Sequence, residues 1–153
     1  MKIKTSDFKT NEIIKIMREY VDKTQFELAE ECKINRRSVQ DYEYGTVNYT
    51  FETLVKIANY YNFEIKILNV KYPVINATNY KTNEVIKMIR KYIDKTQFEL
   101  ADEVHISRSA LQTYEYGTVN YTFETLVKIA KHYHFEITIE STSKTDKMIN
   151  HKY

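Results

Sequence analysis

Ile13, Ile14, Met17 and Tyr20 or Val21 fall on one face of NEIIKIMREYV, a spacing that predicts a first helix over Asn11–Val21. Thr24 is placed to cap a short second helix, QFELAEEC, with Leu28 and Ala29 turned inward. The link KIN (Lys33–Asn35) leads to a third, RRSVQDYEY, in which Val39 and Tyr42 are spaced to pack and Asn35 is the expected cap. Gly45 suits the left-handed residue that ends a helix. Thr50 opens a fourth, FETLVKIANYY, burying Leu54, Ile57 and Ala58. The period then switches to alternation in FEIKIL (Phe63–Leu68), as a half-buried strand requires.

The same pattern recurs 72 residues later. Thr10–Ile67 aligns with Thr82–Ile139 without a gap, and 41 of those 58 positions are identical. YEYGTVNYTFETLVKIA stands unchanged at Tyr42–Ala58 and Tyr114–Ala130. FEITIE (Phe135–Glu140) repeats the strand, and KIKT and VINA resemble strand beginnings upstream of each unit. Two strands alone are marginal in water, whereas four pooled from both units make a credible sheet. The expected fold is mainly α with a small central antiparallel sheet, an internal pseudo-dimer with a helical head at each end. Its divisions are a first unit over 1–70, a short linker at 71–74 carrying the single proline, a second unit over 75–142, and a frayed polar tail over 143–153.

Composition narrows the function classes. No apolar run approaches the roughly 20 residues of a membrane span, so no membrane association is expected. The start MKIKTSDFK lacks the apolar stretch of a signal peptide, so a cytoplasmic protein is expected. Cys32 is the single cysteine and fits that compartment; Val104 stands at its counterpart, so a small buried hydrophobe is expected in place of a nucleophile. A net charge of +2 asks that basic residues be focused on one surface if nucleic acid is the partner.

TQFELAEECKINRRSVQDYEYG resembles the helix-turn-helix of the Cro/CI–Xre family of DNA-binding regulators. The features that carry the resemblance are Thr24-Gln25, Leu28-Ala29, Ile34, Val39 and Tyr42-Glu43-x-Gly45, then Phe51–Leu54. They return at Thr96-Gln97, Leu100-Ala101, Ile106, Leu111, Tyr114-Glu115-x-Gly117 and Phe123–Leu126. Lys33 and His105 depart from the pattern, standing where the family usually has glycine. The resemblance implies two lambda-repressor-like heads that bind double-stranded DNA by setting a recognition helix in the major groove. Its base readers would be Arg36, Arg37, Gln40 and Asp41 in one head and Arg108, Ser109, Gln112 and Thr113 in the other. Backbone contacts would come from Gln25, Ser38, Thr46, Asn48 and Tyr49, and from Gln97, Thr118, Asn120 and Tyr121.

The repeat supplies its own comparison. Seven of the 17 differences fall between Cys32–Asp41 and Val104–Thr113, far more than uniform scatter would place there. Arg37 becomes Ser109, Ser38 becomes Ala110 and Asp41 becomes Thr113, so the two heads are expected to prefer unequal half-sites of an imperfect inverted repeat. Glu43 and Glu115 could be read as catalytic carboxylates, but a salt bridge to Arg18 or Arg90 is the expected role. His132 and His134, two apart on a helix, do not share a face, and no metal or other cofactor is expected. Tyr20, Tyr42, Tyr44, Tyr60 and Tyr61 are expected to pack in the core or at its rim. Phe26 and Phe98 stay open between covered packing, thymine methyl contact and a partner protein. With no nucleophile–base set or phosphate loop, an enzyme is not expected.

The resemblance implies a bacterial protein whose role is transcriptional repression on a phage or conjugative plasmid. The tandem architecture is also similar to TraN-type DNA-binding components of Gram-positive conjugative plasmids, which implies a transfer-origin role as one alternative. An antitoxin or protein inhibitor is another, and further self-association stays open.

Overall fold

The computed structural model describes residues 1–150. Each unit holds four helices: α1 (Thr10–Tyr20), α2 (Gln25–Cys32), α3 (Arg36–Tyr44) and α4 (Phe51–Tyr60), then α5 (Thr82–Tyr92), α6 (Gln97–Val104), α7 (Arg108–Tyr116) and α8 (Phe123–His132). Local chemistry sets their ends. Thr24 Oγ1 accepts from the Glu27 N–H at 3.0 Å while Glu27 accepts from the Thr24 N–H at 3.0 Å, so two orphan donors are satisfied reciprocally. Asn35 Oδ1 caps α3, and Ser107 does the same for α7.

Lys33 and His105 close α2 and α6 in the left-handed region, with φ of 55° and 59°. A side chain there carries a modest strain, about 1 kcal/mol against glycine. Gly45 and Gly117 meet a stricter demand. They are left-handed too, and a Cβ on either would come within 3.4 or 3.3 Å of the Asn11 or Asn83 side chain.

Four strands form one antiparallel sheet in the order β1 (Lys2–Lys4), β4 (Glu136–Glu140), β2 (Glu64–Asn69), β3 (Tyr72–Asn76). Its register carries the symmetry of the repeat. Ile3↔Ile139 and Ile67↔Ile75 are the same pair under the 72-residue shift, and Lys66↔Thr138 maps onto itself. At the heads, Phe51 N–H donates to Tyr121 O at 2.9 Å and Phe123 N–H to Tyr49 O at 3.0 Å, around a Thr50–Thr122 bridge that also maps onto itself. Contacts that exchange in this way define an internal two-fold axis. A second lysine opposite Lys66 would set like charges face to face, and Thr138 avoids that.

Ile3, Ile65, Ile67, Ile75, Ile137 and Ile139 form the buried face of the sheet. The opposite face carries ion pairs such as Lys2–Glu140 and Lys66–Glu140. Four repeat differences are swaps among buried apolar residues, Ile13/Val85, Met17/Ile89, Cys32/Val104 and Val39/Leu111, which a core tolerates at low cost.

Two expectations are corrected. Residues 71–74 are no linker, because β2 turns at Val70–Lys71 into β3 and the units join through a hairpin. The tail is not frayed over its described part. Ser143–Asn150 forms α9, begun by reciprocal bonds between Thr142 and Thr145. Both hydroxyls also donate to Asn62 O, and Tyr20 donates to Asp146 at 2.7 Å. Residues 151–153 of that tail lie outside the described residues.

Candidate nucleic-acid interface

α3 begins with two arginines. The positive end of the helix dipole disfavours cations there, so Arg36 and Arg37 add nothing to helix stability from that position. Arg36, Arg37 and Gln40 are exposed along one side of α3, with Asp41 half-buried beside them. Arg108, Ser109 and Gln112 are exposed on α7, with Thr113 half-buried. A helix that leaves its first turn basic and solvated, while Val39 or Leu111 anchors its back, is available to an external polyanion.

Each leading arginine rests on an aromatic ring. The Arg36 guanidinium carbon lies 5.2 Å from the Phe26 ring centroid, and that of Arg108 lies 5.7 Å from Phe98. The rings are 50% and 59% exposed, which rules out covered packing. Of the three roles left open for these phenylalanines, none included this contact with an arginine.

Behind α3 and α7 lies one buried ion pair each. Arg18 Nε and Nη2 donate to the two Glu43 carboxylate oxygens at 2.8 and 2.9 Å, and Arg90 holds Glu115 at 2.7 and 2.8 Å. The carboxylates are 4% exposed, so these are not the weak surface pairs that motif spacing alone would suggest. Hydrogen bonding to Glu43 raises Arg18 above its ordinary value, and Glu115 does the same for Arg90. Gln25 and Gln97 each donate one amide hydrogen to the same carboxylate, at 3.1 and 3.2 Å. One N–H and the carbonyl of each amide lie beyond that bond, at the open first turn of α2 or α6.

The heads differ where the sequence differs. Arg37 and Asp41 pair across one turn at 3.6 Å. In the second head Thr113 donates its hydroxyl to Ala110 O at 2.7 Å, and Ser109 meets Ser107 at 3.4 Å. Ser38 is half-buried and Ala110 has no hydroxyl, so any contact through it belongs to one head.

Thr46, Asn48, Thr118 and Asn120 are exposed in the loops after α3 and α7. Tyr49 and Tyr121 are not, and the backbone role expected of them is corrected. They are 3% and 2% exposed, and their hydroxyls donate to Thr10 O and Thr82 O. Tyr44 and Tyr116 are the most exposed of the described tyrosines, 85% and 83% at the ends of α3 and α7, where rim packing had been expected of Tyr44. Tyr44, Lys15, Gln25, Gln40 and Thr46 line one open groove of about 540 Å³. Lys15 is a cation that motif reasoning missed. Its signal was a polar position one turn before Arg18, repeated as Lys87 before Arg90.

Among the described residues, no group of three His, Cys, Asp or Glu is placed to hold a metal ion, and no helix is long and apolar enough to cross a membrane. The sequence profile of the helix-turn-helix family matches residues 14–68 and again 86–139. No curated protein and no solved structure matches the chain.

Proposed function

Because the chain belongs to the helix-turn-helix family of Cro/CI–Xre type, a family of DNA-binding regulators, we propose that it reads an imperfect inverted repeat on duplex DNA through both heads. The observation that carries this is the internal two-fold through Thr50/Thr122 and Lys66/Thr138, since a two-fold protein calls for a two-fold site. The unequal chemistry of Arg37/Asp41 and Ser109/Thr113 makes that repeat imperfect. Arg36 and Arg108 would each clamp a guanine O6 and N7, contributing roughly 1–3 kcal/mol of discrimination. Lys15, Gln25, Thr46 and Asn48, with Lys87, Gln97, Thr118 and Asn120, would grip phosphates.

Covalent fusion fixes the second head once the first is bound, raising affinity through effective concentration. Repression follows if the site overlaps a promoter, and the resemblance favours a mobile element, phage or conjugative plasmid, as the DNA concerned. Gel shifts on selected duplexes across a salt series test the reading. Binding is expected to fall steeply with salt and to lose sequence preference in Arg36→Ala/Arg108→Ala. Unchanged preference and slope in that variant would overturn it.

A further inference from the structure

Phe26 and Phe98 cost the isolated protein exposed apolar surface, and neither ring is needed by the core. Each follows the glutamine that opens α2 or α6, half in water, with a reading arginine stacked on it. The arrangement is the same in both heads, although Arg37, Ser38 and Asp41 beside it give way to Ser109, Ala110 and Thr113. The Phe–Arg pair is therefore shared, together with Gln40 and Gln112, by two readers that otherwise differ.

We infer that Phe26 and Phe98 determine specificity by taking the 5-methyl group of a thymine next to the guanine read by Arg36 or Arg108, so that both half-sites contain a thymine–guanine step. The inference rests on the proposed DNA reading. Stacking holds the guanidinium plane, and it strengthens as the pair is desolvated. When that plane meets guanine O6 and N7, the ring beneath it comes against the neighbouring base. The thymine methyl is the apolar group on the major-groove edge of the bases, and cytosine lacks it. An exposed ring that meets this methyl sheds water from both apolar surfaces.

The test uses the full chain and a duplex selected from a random pool. Deoxyuridine replaces the thymine beside the guanine, one half-site at a time, which deletes the methyl and leaves pairing intact. Wild-type affinity is expected to fall roughly fourfold per half-site, the value of one buried methyl-sized group. Phe26→Ala should abolish the sensitivity at one half-site and leave the other, with Phe98→Ala the mirror image. Phe26→Leu, which keeps an apolar body, should retain part of it. Since both rings are half-exposed, thermal unfolding of each variant should stay near wild type and exclude misfolding as the cause. Equal binding of thymine and deoxyuridine duplexes, with guanine preference still dependent on Arg36, would overturn this inference and leave the two-head reading standing. Absence of any sequence preference would remove both.

Discussion

Phe51 and Phe123, the same residue in the two copies of the repeat, stack on each other with centroids 6.0 Å apart and ring planes 18° apart. Tyr121 stacks on Phe51 and Tyr49 on Phe123, at 5.9 Å each, so four rings span the internal axis. The heads are thereby clamped to each other as well as to the sheet. Phe51→Ala and Phe123→Ala are each expected to destabilise the protein by about 3–5 kcal/mol, and nearly equally. Their double mutant should fall short of additivity, because the second truncation removes a contact already lost. Urea unfolding of the three variants measures both quantities.

Arg18 and Glu43 tie α1 to α3 through two hydrogen bonds. Glu43→Ala strands a guanidinium that is 14% exposed, at a cost of about 3 kcal/mol, nearer that of a broken buried pair than of a surface one. Gln25 loses its acceptor in the same variant, so duplex binding should weaken beyond the stability loss. Calorimetric unfolding beside a binding titration separates the two effects. A cost under about 0.5 kcal/mol would place the pair among surface bridges.

Burial pushes the Cys32 thiol up to about 11 from its ordinary 9.0. Burial also raises Tyr49, Tyr61 and Tyr121. For each, the fold favours the neutral form, so its contribution is fully present below the unfolded pKa and lost as pH rises through the folded one. Stability is expected to decline from about pH 9 toward pH 11. Cys32→Val, which installs the residue found at Val104, should flatten part of that decline and cost less than about 1.5 kcal/mol. Denaturant titrations over that range check the slope, and a thiol reagent at neutral pH should label only the unfolded chain.

Lys15 and Lys87 sit one turn before the buried arginines, on the groove side of α1 and on its counterpart in α5. Alanine at either should lower affinity about equally for all duplexes and reduce the salt slope by about one unit. A change in sequence preference would instead make the lysine a base reader.

Helices and strands were legible because their causes are local. Thr24, Asn35, Thr50 and Gly45 punctuate the chain where caps are needed, and the switch from period 3.6 to period 2 at Phe63 marks the strand. The repeat also exposed the internal dimer, since four strands from two units make one sheet. Long-range partners were less visible. Tyr49 lies beside Asn48 in a polar loop, and nothing local distinguishes a tyrosine offered to a phosphate from one folded back to Thr10 O. The tail reads as polar because Thr142 and Thr145 anchor it by hydroxyl–carbonyl bonds to Asn62, distant in sequence. Arg36 on Phe26 is likewise a tertiary contact between residues ten apart that share no helix.

Selection of bound duplexes from a random pool, run on the wild type and on Ser109→Arg/Ala110→Ser/Thr113→Asp, tests the central claim most directly. The triple variant gives the second head the α3 chemistry of the first. The wild type is predicted to select two unequal half-sites related by a two-fold, and the variant a symmetric repeat of the first head's half-site. Identical motifs from both proteins, or a symmetric site from the wild type, would contradict the account of two unequal readers on one two-fold frame.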